Sequence, residues 1–311
     1  MMNIIKYSSI TILLFIFNTL AVETFENKIM LKVDNEIITS IDLKNESIYL
    51  TTLNPELKKL KDSEILEISK KSLIKEKIKK IEILKNIDNP KLPVKYLEEI
   101  LRNIYRVVKI ENLEDFKKYL YKNGLEYNYV LEKIEIEALW NELIIAKFSS
   151  KITIDKNKIK QKVENNKSKI SKSFLMSEIF FEVSGEENLQ DKFNMIVDTI
   201  NTKGFENAAL IYSVSETSKT GGKLNWVNEN SLNKKLKYHL QNKNINDLTG
   251  PITVPSGFLI LKINDIKKIK LEKNVEKEVA ELINISKNNQ LNQFSNIYFN
   301  KIKKNIKIEK I

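Results

Sequence analysis

Cysteine is absent from this chain, so disulfides, thiol catalysis, Cys-ligated metal sites and a lipid-modified N-terminal cysteine are all excluded. Histidine occurs once, at His239, between Tyr238 and Leu240 in a predicted short helix, where it reads as a surface residue. Long apolar runs are scarce as well. Beyond the N-terminus none comes near the roughly 17–25 residues that span a bilayer. Proline is limited to 5 residues and glycine to 7 of 311. Two of those glycines, Gly221 and Gly222, are adjacent in "SKTGGKLNWV", which marks one place where the backbone needs unusual freedom.

Lysine, by contrast, is abundant. Lys plus Arg number 52 against 41 Asp plus Glu, for a formal charge of +11. An excess of that size fits an anionic partner, or simply a composition rich in Lys, Asn and Ile throughout, with lysines alternating with Glu and Ile as on solvated helix faces. The N-terminus, "MMNIIKYSSITILLFIFNTLAVETFENK", has a basic start at Lys6, an apolar stretch over residues 10–20 and small residues near Ala21. That three-part layout predicts a secretory signal peptide over residues 1–21, with an uncleaved anchor as the alternative. Export argues against nucleic acid as a partner. A cleaved signal would leave no stable membrane insertion.

The remaining chain divides by texture. Residues 28–33 and 37–41 read as two short strands about a turn at Asp34-Asn35, with Asp42 as a candidate cap for the segment after them. Apolar residues at three- and four-residue steps predict helices over residues 62–86, from Pro93 onward, over residues 113–123 to a stop at Gly124, and over residues 127–148. Asp62 or Ser63 would cap the first of these, and Asp155 one more. Near Ser171 the pattern changes. "FLMSEIFFEV" is a buried strand, a helix ends at Gly204, "FENAALIYS" is a short helix, residues 232–240 another, and "GPITV" with "GFLILKIND" a hairpin. Residues 271–304 return to helix, and Ile306 and Ile308 suggest a closing strand. The fold class is therefore α+β: a mainly helical module over residues 22–170, an α+β domain over residues 171–268, and a C-terminal helix and strand over residues 269–311 that pack back on the first module.

The series "FLMSEIFFEV", "GFENAALIYS", "GGKLNWV", "LTGPI" and "GFLILKI" resembles a parvulin-type peptidylprolyl isomerase domain. In that family the Gly-Gly turn crosses the sheet beside the proline pocket, the role expected of Gly221 and Gly222. Where another glycine usually follows, this chain has Asn225, a residue that tolerates a left-handed backbone. The flanks, "VDNEIITSIDL", "NGLEYNYVLEKIEIEALWNELI" and "NQFSNIYFNKIKKNIKIEKI", resemble SurA-like periplasmic chaperones, here with a single parvulin domain. PrsA-like foldases share the order of parts but are anchored through a cysteine. PpiD-like relatives keep a membrane anchor.

The resemblance carries the family's site onto specific positions. Its two histidines fall on Glu178 and Leu259, its Cys or Asp on Ser215 and its Thr on Val254, so all four polar residues are replaced. Glu178 is expected at an open rim beside Ser215. The apolar pocket falls on Leu232 and Leu236, with Phe180 beside them. Neither metal nor cofactor is implied. The resemblance implies a periplasmic chaperone for unfolded or extended polypeptides, outer-membrane proteins among them, with weak or lost isomerase activity. An active isomerase with an altered site and a structural envelope protein are the alternatives. Tyr105, Tyr119, Tyr121, Tyr127, Tyr129 and Trp140 supply candidate client contacts on the helical module.

Overall fold

The computed structural model describes residues 27–165, 170–183, 187–255, 257–270 and 275–311. The expected signal peptide lies outside the described residues. In chain order the elements are β1 (Ile29–Val33), β2 (Glu36–Thr39), α1 (Ser40–Leu53), α2 (Asp62–Asn86), α3 (Val94–Val107), α4 (Leu113–Lys122), α5 (Tyr127–Phe148), α6 (Lys156–Glu164), β3 (Ile170–Phe181), α7 (Leu189–Lys203), α8 (Phe205–Tyr212), β4 (Lys223–Asn228), α9 (Lys234–Leu240), β5 (Ile252–Val254), β6 (Gly257–Lys270), α10 (Val275–Lys303) and β7 (Ile308–Lys310).

β1 and β2 form a hairpin through Asp34, whose φ of 49° suits a tight turn. Leu31, Val33 and Ile38 alternate inward and are buried with Leu43, Leu73 and Ile78. The cap of α1 is Thr39 rather than Asp42. Asp42 takes the third helical position and completes a capping box, accepting from Thr39 N at 2.8 Å while Thr39 Oγ1 accepts from Asp42 N at 3.2 Å. α2 likewise starts one residue after its cap, Lys61, whose N–H is taken by the Glu64 carboxylate. Gly124, at φ 78°, ends the turn after α4 and lets Leu125 tuck under it.

Leu97, Leu101 and Tyr105 of α3 pack on Phe116 and Leu120 of α4 and on Val130 and Ile134 of α5. A second core gathers around Trp140, which is fully buried. Its indole N–H donates to Ser295 Oγ at 2.8 Å and its ring stacks on Tyr298 of α10. Gln290 of α10 bonds both the N–H and the C=O of Thr153. β7 then pairs antiparallel with β1, giving the order β2-β1-β7. A two-stranded ribbon is marginal alone, and the third strand comes from the far end of the chain.

The second sheet has the order β4-β3-β6-β5, with all pairs antiparallel. Ile179, Phe181 and Ile260 face α7 and α8 and bury against Ile196, Phe205, Ala208 and Ala209. Phe174, Met176, Leu261 and Ile263 form the opposite core with Leu232, Leu240 and Ile252. α9 begins at Lys234, two residues later than Leu232, because Asn233 is its cap and accepts from Leu236 N at 2.8 Å. This domain docks on the helical module through Leu210 of α8, which enters a cluster with Leu50, Leu57, Leu60, Ile65 and Ile68. Lys203–Glu64 and Asn300–Glu182 contacts also join the two domains. No helix among the described residues is long and apolar enough to cross a membrane.

Candidate functional site

Alternation along β3 places Phe174, Met176, Glu178 and Phe180 on one face and Ile179 and Phe181 on the other. Along β3 the pairing with β4 ends at Ser177, opposite Lys223, the first residue of β4. Beyond that point the segment from Ser213 to Gly222 continues along the exposed edge of β3. Phe180 N donates to Ser213 Oγ, Val214 N to Phe180 O, and Glu178 N to Gly222 O at 2.8 Å. The glycine pair makes this approach possible. Gly221 and Gly222 have φ of 70° and 76°, and a β-carbon on Gly222 would lie 2.2 Å from Glu178 O. A side chain fits neither the dihedral nor the space.

The segment delivers two hydroxyls to Glu178. Thr217 Oγ1 donates to Oε1 at 2.8 Å, Ser215 Oγ approaches the same oxygen at 3.1 Å, and the two hydroxyl oxygens lie 2.5 Å apart. Glu178 is half-buried beside Ser215, not at an open rim. Burial pushes its carboxyl above the ordinary range, and the Thr217 and Ser215 hydrogen bonds only partly counter that. No charged group contributes to the shift.

Sequence reasoning misses Thr217. The signal that could have found it is the hydroxyl spacing in "SVSETSKT" just before the glycines, where Ser213, Ser215 and Thr217 each bond back to β3 or to one another.

The apolar candidates gather next to this polar corner. Across the β3–β6 ladder Glu178 faces Leu261, and Phe180 faces Leu259. Leu259 in turn faces Ile252 of β5, and Val254 faces Gly257 at the hairpin. Leu236, Val254 and Leu259 are half-buried against the core that holds Leu232 and Leu261. Leu232 and Phe180 are themselves buried, so a bound chain would meet Leu236, Val254 and Leu259 first. Asn225 does not belong to the turn. It lies exposed within β4, and the non-glycine residues with positive φ among the described residues are Asp34, Asn89, Lys109 and Asn246. The turn is complete with Gly221 and Gly222, and Asn225 falls instead where the β3–β4 register shifts, between the Ser177–Lys223 and Leu175–Trp226 pairs.

His239 sits on α9 with its ring edge against Tyr238. Among the described residues no group of three or more His, Asp or Glu side chains converges to hold a metal ion. The corner therefore offers one desolvated carboxyl, two hydroxyls and an apolar ledge. That set suits gripping a polypeptide and hydrogen-bonding its backbone.

The model of the PPIC-type PPIase domain family, the rotamases, matches residues 174–265. The chaperone SurA of Pseudomonas putida is 21% identical over 163 residues, which cover 50% of this chain and 38% of that protein. The chain thus spans well under half the length of that relative. Among solved structures, a PpiC-type peptidyl-prolyl cis-trans isomerase domain is 28% identical, covering 33% of this chain and 96% of its own, with a TM-score of 0.28. A SurA-like chaperone of Campylobacter jejuni is 18% identical and covers 92% of this chain and 99% of its own, with a TM-score of 0.36. Residues 174–265 thus match the PPIC-type, parvulin-family domain, and the chain is similar to SurA over about half its length.

Proposed function

We propose that the protein is a periplasmic chaperone that holds unfolded or extended polypeptides, outer-membrane proteins among them, and that its parvulin-type domain binds chain with weak or lost isomerase activity. The observation that carries this reading is the make-up of the corner. Rotation about a prolyl bond faces a barrier of roughly 18–20 kcal/mol, and catalysis needs donors placed for the twisted amide. Val254 and Leu259 supply no polar group, and Glu178 is tied to Ser215 and Thr217. The ledge of Leu236, Val254 and Leu259 keeps the capacity to hold an apolar side chain.

The helical module supports the client-holding part. Tyr105 and Trp140 are core residues, and Tyr119, Tyr127 and Tyr129 are half-buried, whereas Tyr121 is 84% exposed and Val94 71%. Exposed large apolar groups of this kind supply the many weak contacts an extended client needs.

The test is prolyl isomerisation by the full chain and by the double variant Glu178→His, Leu259→His. Wild type near the uncatalysed rate, with a partial gain in the variant, supports the reading. A wild-type rate well above background, reduced by Leu236→Ala, would instead establish an active isomerase with an altered site. The desolvated Glu178 carboxyl favours that second reading, because a carboxyl kept protonated to higher pH can donate to an amide.

A further inference from the structure

Glu137 of α5 is shared between the two domains. Its Oε2 takes the ammonium of Lys79 of α2 at 2.5 Å, and its Oε1 takes the ammonium of Lys219. Lys79 is fully buried, with its ammonium 5.5 Å from the Trp140 ring centroid. Lys219 comes from the other domain. It sits in the short 3-10 turn Glu216–Thr220, between Thr217, which bonds Glu178, and the glycine pair. The turn is internally braced: Gly221 N donates to Ser218 O at 2.9 Å and Gly222 N to Thr217 O at 2.8 Å. Gly222 O then accepts from Glu178 N. One rigid loop therefore has Thr217 and Gly222 on its inner side, at Glu178, and Lys219 on its outer side, at Glu137.

The ion pair lies where a charge is effective. Lys219 is about one-third exposed and Glu137 about one-quarter exposed. Tyr49, half-buried beside them, has its phenol pushed up to about 12 by desolvation, an effect that the charges of Lys219 and Lys133 oppose. A pair in that setting is screened less than one on the open surface.

We infer that Lys219 is a positioning residue: its contact with Glu137 fixes the 216–220 turn on the helical module and thereby holds Thr217 and Gly222 against Glu178. The helical module and the parvulin corner are then coupled through one carboxylate. Docking of the two domains does not depend on this contact, because Leu210 and the Lys203–Glu64 pair remain without it. The inference takes Glu178, Ser215 and Thr217 as the site proposed above, but its test needs no catalysis.

The test is amide hydrogen exchange on the full chain in three forms: wild type, Lys219→Met and Lys219→Arg. Methionine keeps most of the unbranched apolar stem and removes the charge, whereas arginine restores the charge. Loss of a partly shielded ion pair should speed exchange at Gly221, Gly222 and Glu178 by about twofold to fivefold in Lys219→Met. Exchange in α2 and α5 should stay unchanged, and Lys219→Arg should return the loop toward wild-type protection. Identical loop exchange in wild type and Lys219→Met overturns the inference. So does an equal rise through α2 and α5, which would mean general destabilisation, and so does a failure of arginine to restore protection. An isomerase assay that contradicts the proposed function leaves these exchange results standing, so the two ideas fail separately.

Discussion

Gly222→Ala against Gly124→Ala isolates the close approach at the site from the backbone cost alone. Both glycines have nearly the same φ, 76° and 78°. A β-carbon in that left-handed region costs roughly 1–2 kcal/mol at either position. The surroundings differ. Nothing lies within 4 Å of a β-carbon at Gly124, while at Gly222 it would meet Glu178 O at 2.2 Å and the Ala209 methyl at 3.2 Å. The loop must move away from β3, which breaks Glu178 N→Gly222 O and strains Gly222 N→Thr217 O, both 2.8 Å. At about 1 kcal/mol net for each hydrogen bond, Gly222→Ala should cost roughly 3–4 kcal/mol. The entropy that alanine removes from the unfolded chain is the same for both and cancels.

The protein has two tryptophans, Trp140 in the helical module and Trp226 on β4, so fluorine NMR of the fluorotryptophan-labelled protein follows each domain separately through a urea titration. Gly222→Ala should lower the Trp226 midpoint far more than Gly124→Ala lowers that of Trp140. Equal shifts would refute the claim that the glycine pair is there for contact with β3.

The same contacts set two more outcomes. Glu178 has a raised folded pKa, so its favourable contribution is full below the unfolded value of about 4.5 and is lost as pH rises through the folded value. Glu178→Gln, still able to accept from Ser215 and Thr217, should match wild type in acid and become the more stable protein as pH rises through that window; a constant difference in urea midpoint across pH would contradict the burial of this carboxyl. Removing residues 307–311 deletes β7 and both Asp34–Lys307 hydrogen bonds, one to the Lys307 carbonyl and one to the Asp34 carboxylate, which should lower the Trp140 midpoint and leave that of Trp226 unchanged; equal loss in both would show that β7 serves the whole chain.

Elements with a local signature are legible in the sequence. α2 and α5 have the expected bounds because Ile65, Ile68, Ile78 and Ile83 in one, and Ile134, Ala138 and Leu139 in the other, repeat at helical spacing toward a core. The start of α1 is harder to read because Thr39 both ends β2 and caps the helix, and its β-branched side chain favours strand. Buried charges are hidden for a different reason. Lys133 is buried against Glu46 and Glu76, and Lys79 against Glu137; each resembles a solvated-face residue locally, since its partner lies about sixty to ninety positions away.

The site is half legible. Glu178 beside Ser215 comes from aligned motifs, but Thr217 and the turn that presents it depend on how the segment from Ser213 to Gly222 folds against β3, which no periodicity records.

Client holding by the helical module is tested most directly by excising residues 173–267 and bridging the gap with a short flexible linker. Lys172 and Lys268 are ladder partners on β3 and β6, so the cut ends start side by side. The measurement is light scattering as a urea-unfolded outer-membrane protein is diluted into buffer with the full chain or with the excised form, at low and at physiological salt. Suppression of aggregation by both forms at both salts is the expected result, because apolar contacts do not fade with ionic strength. Suppression by the full chain alone would place client binding in the parvulin-type domain, and suppression only at low salt would reduce the effect to charge attraction; either contradicts a helical module that holds clients through its exposed apolar side chains.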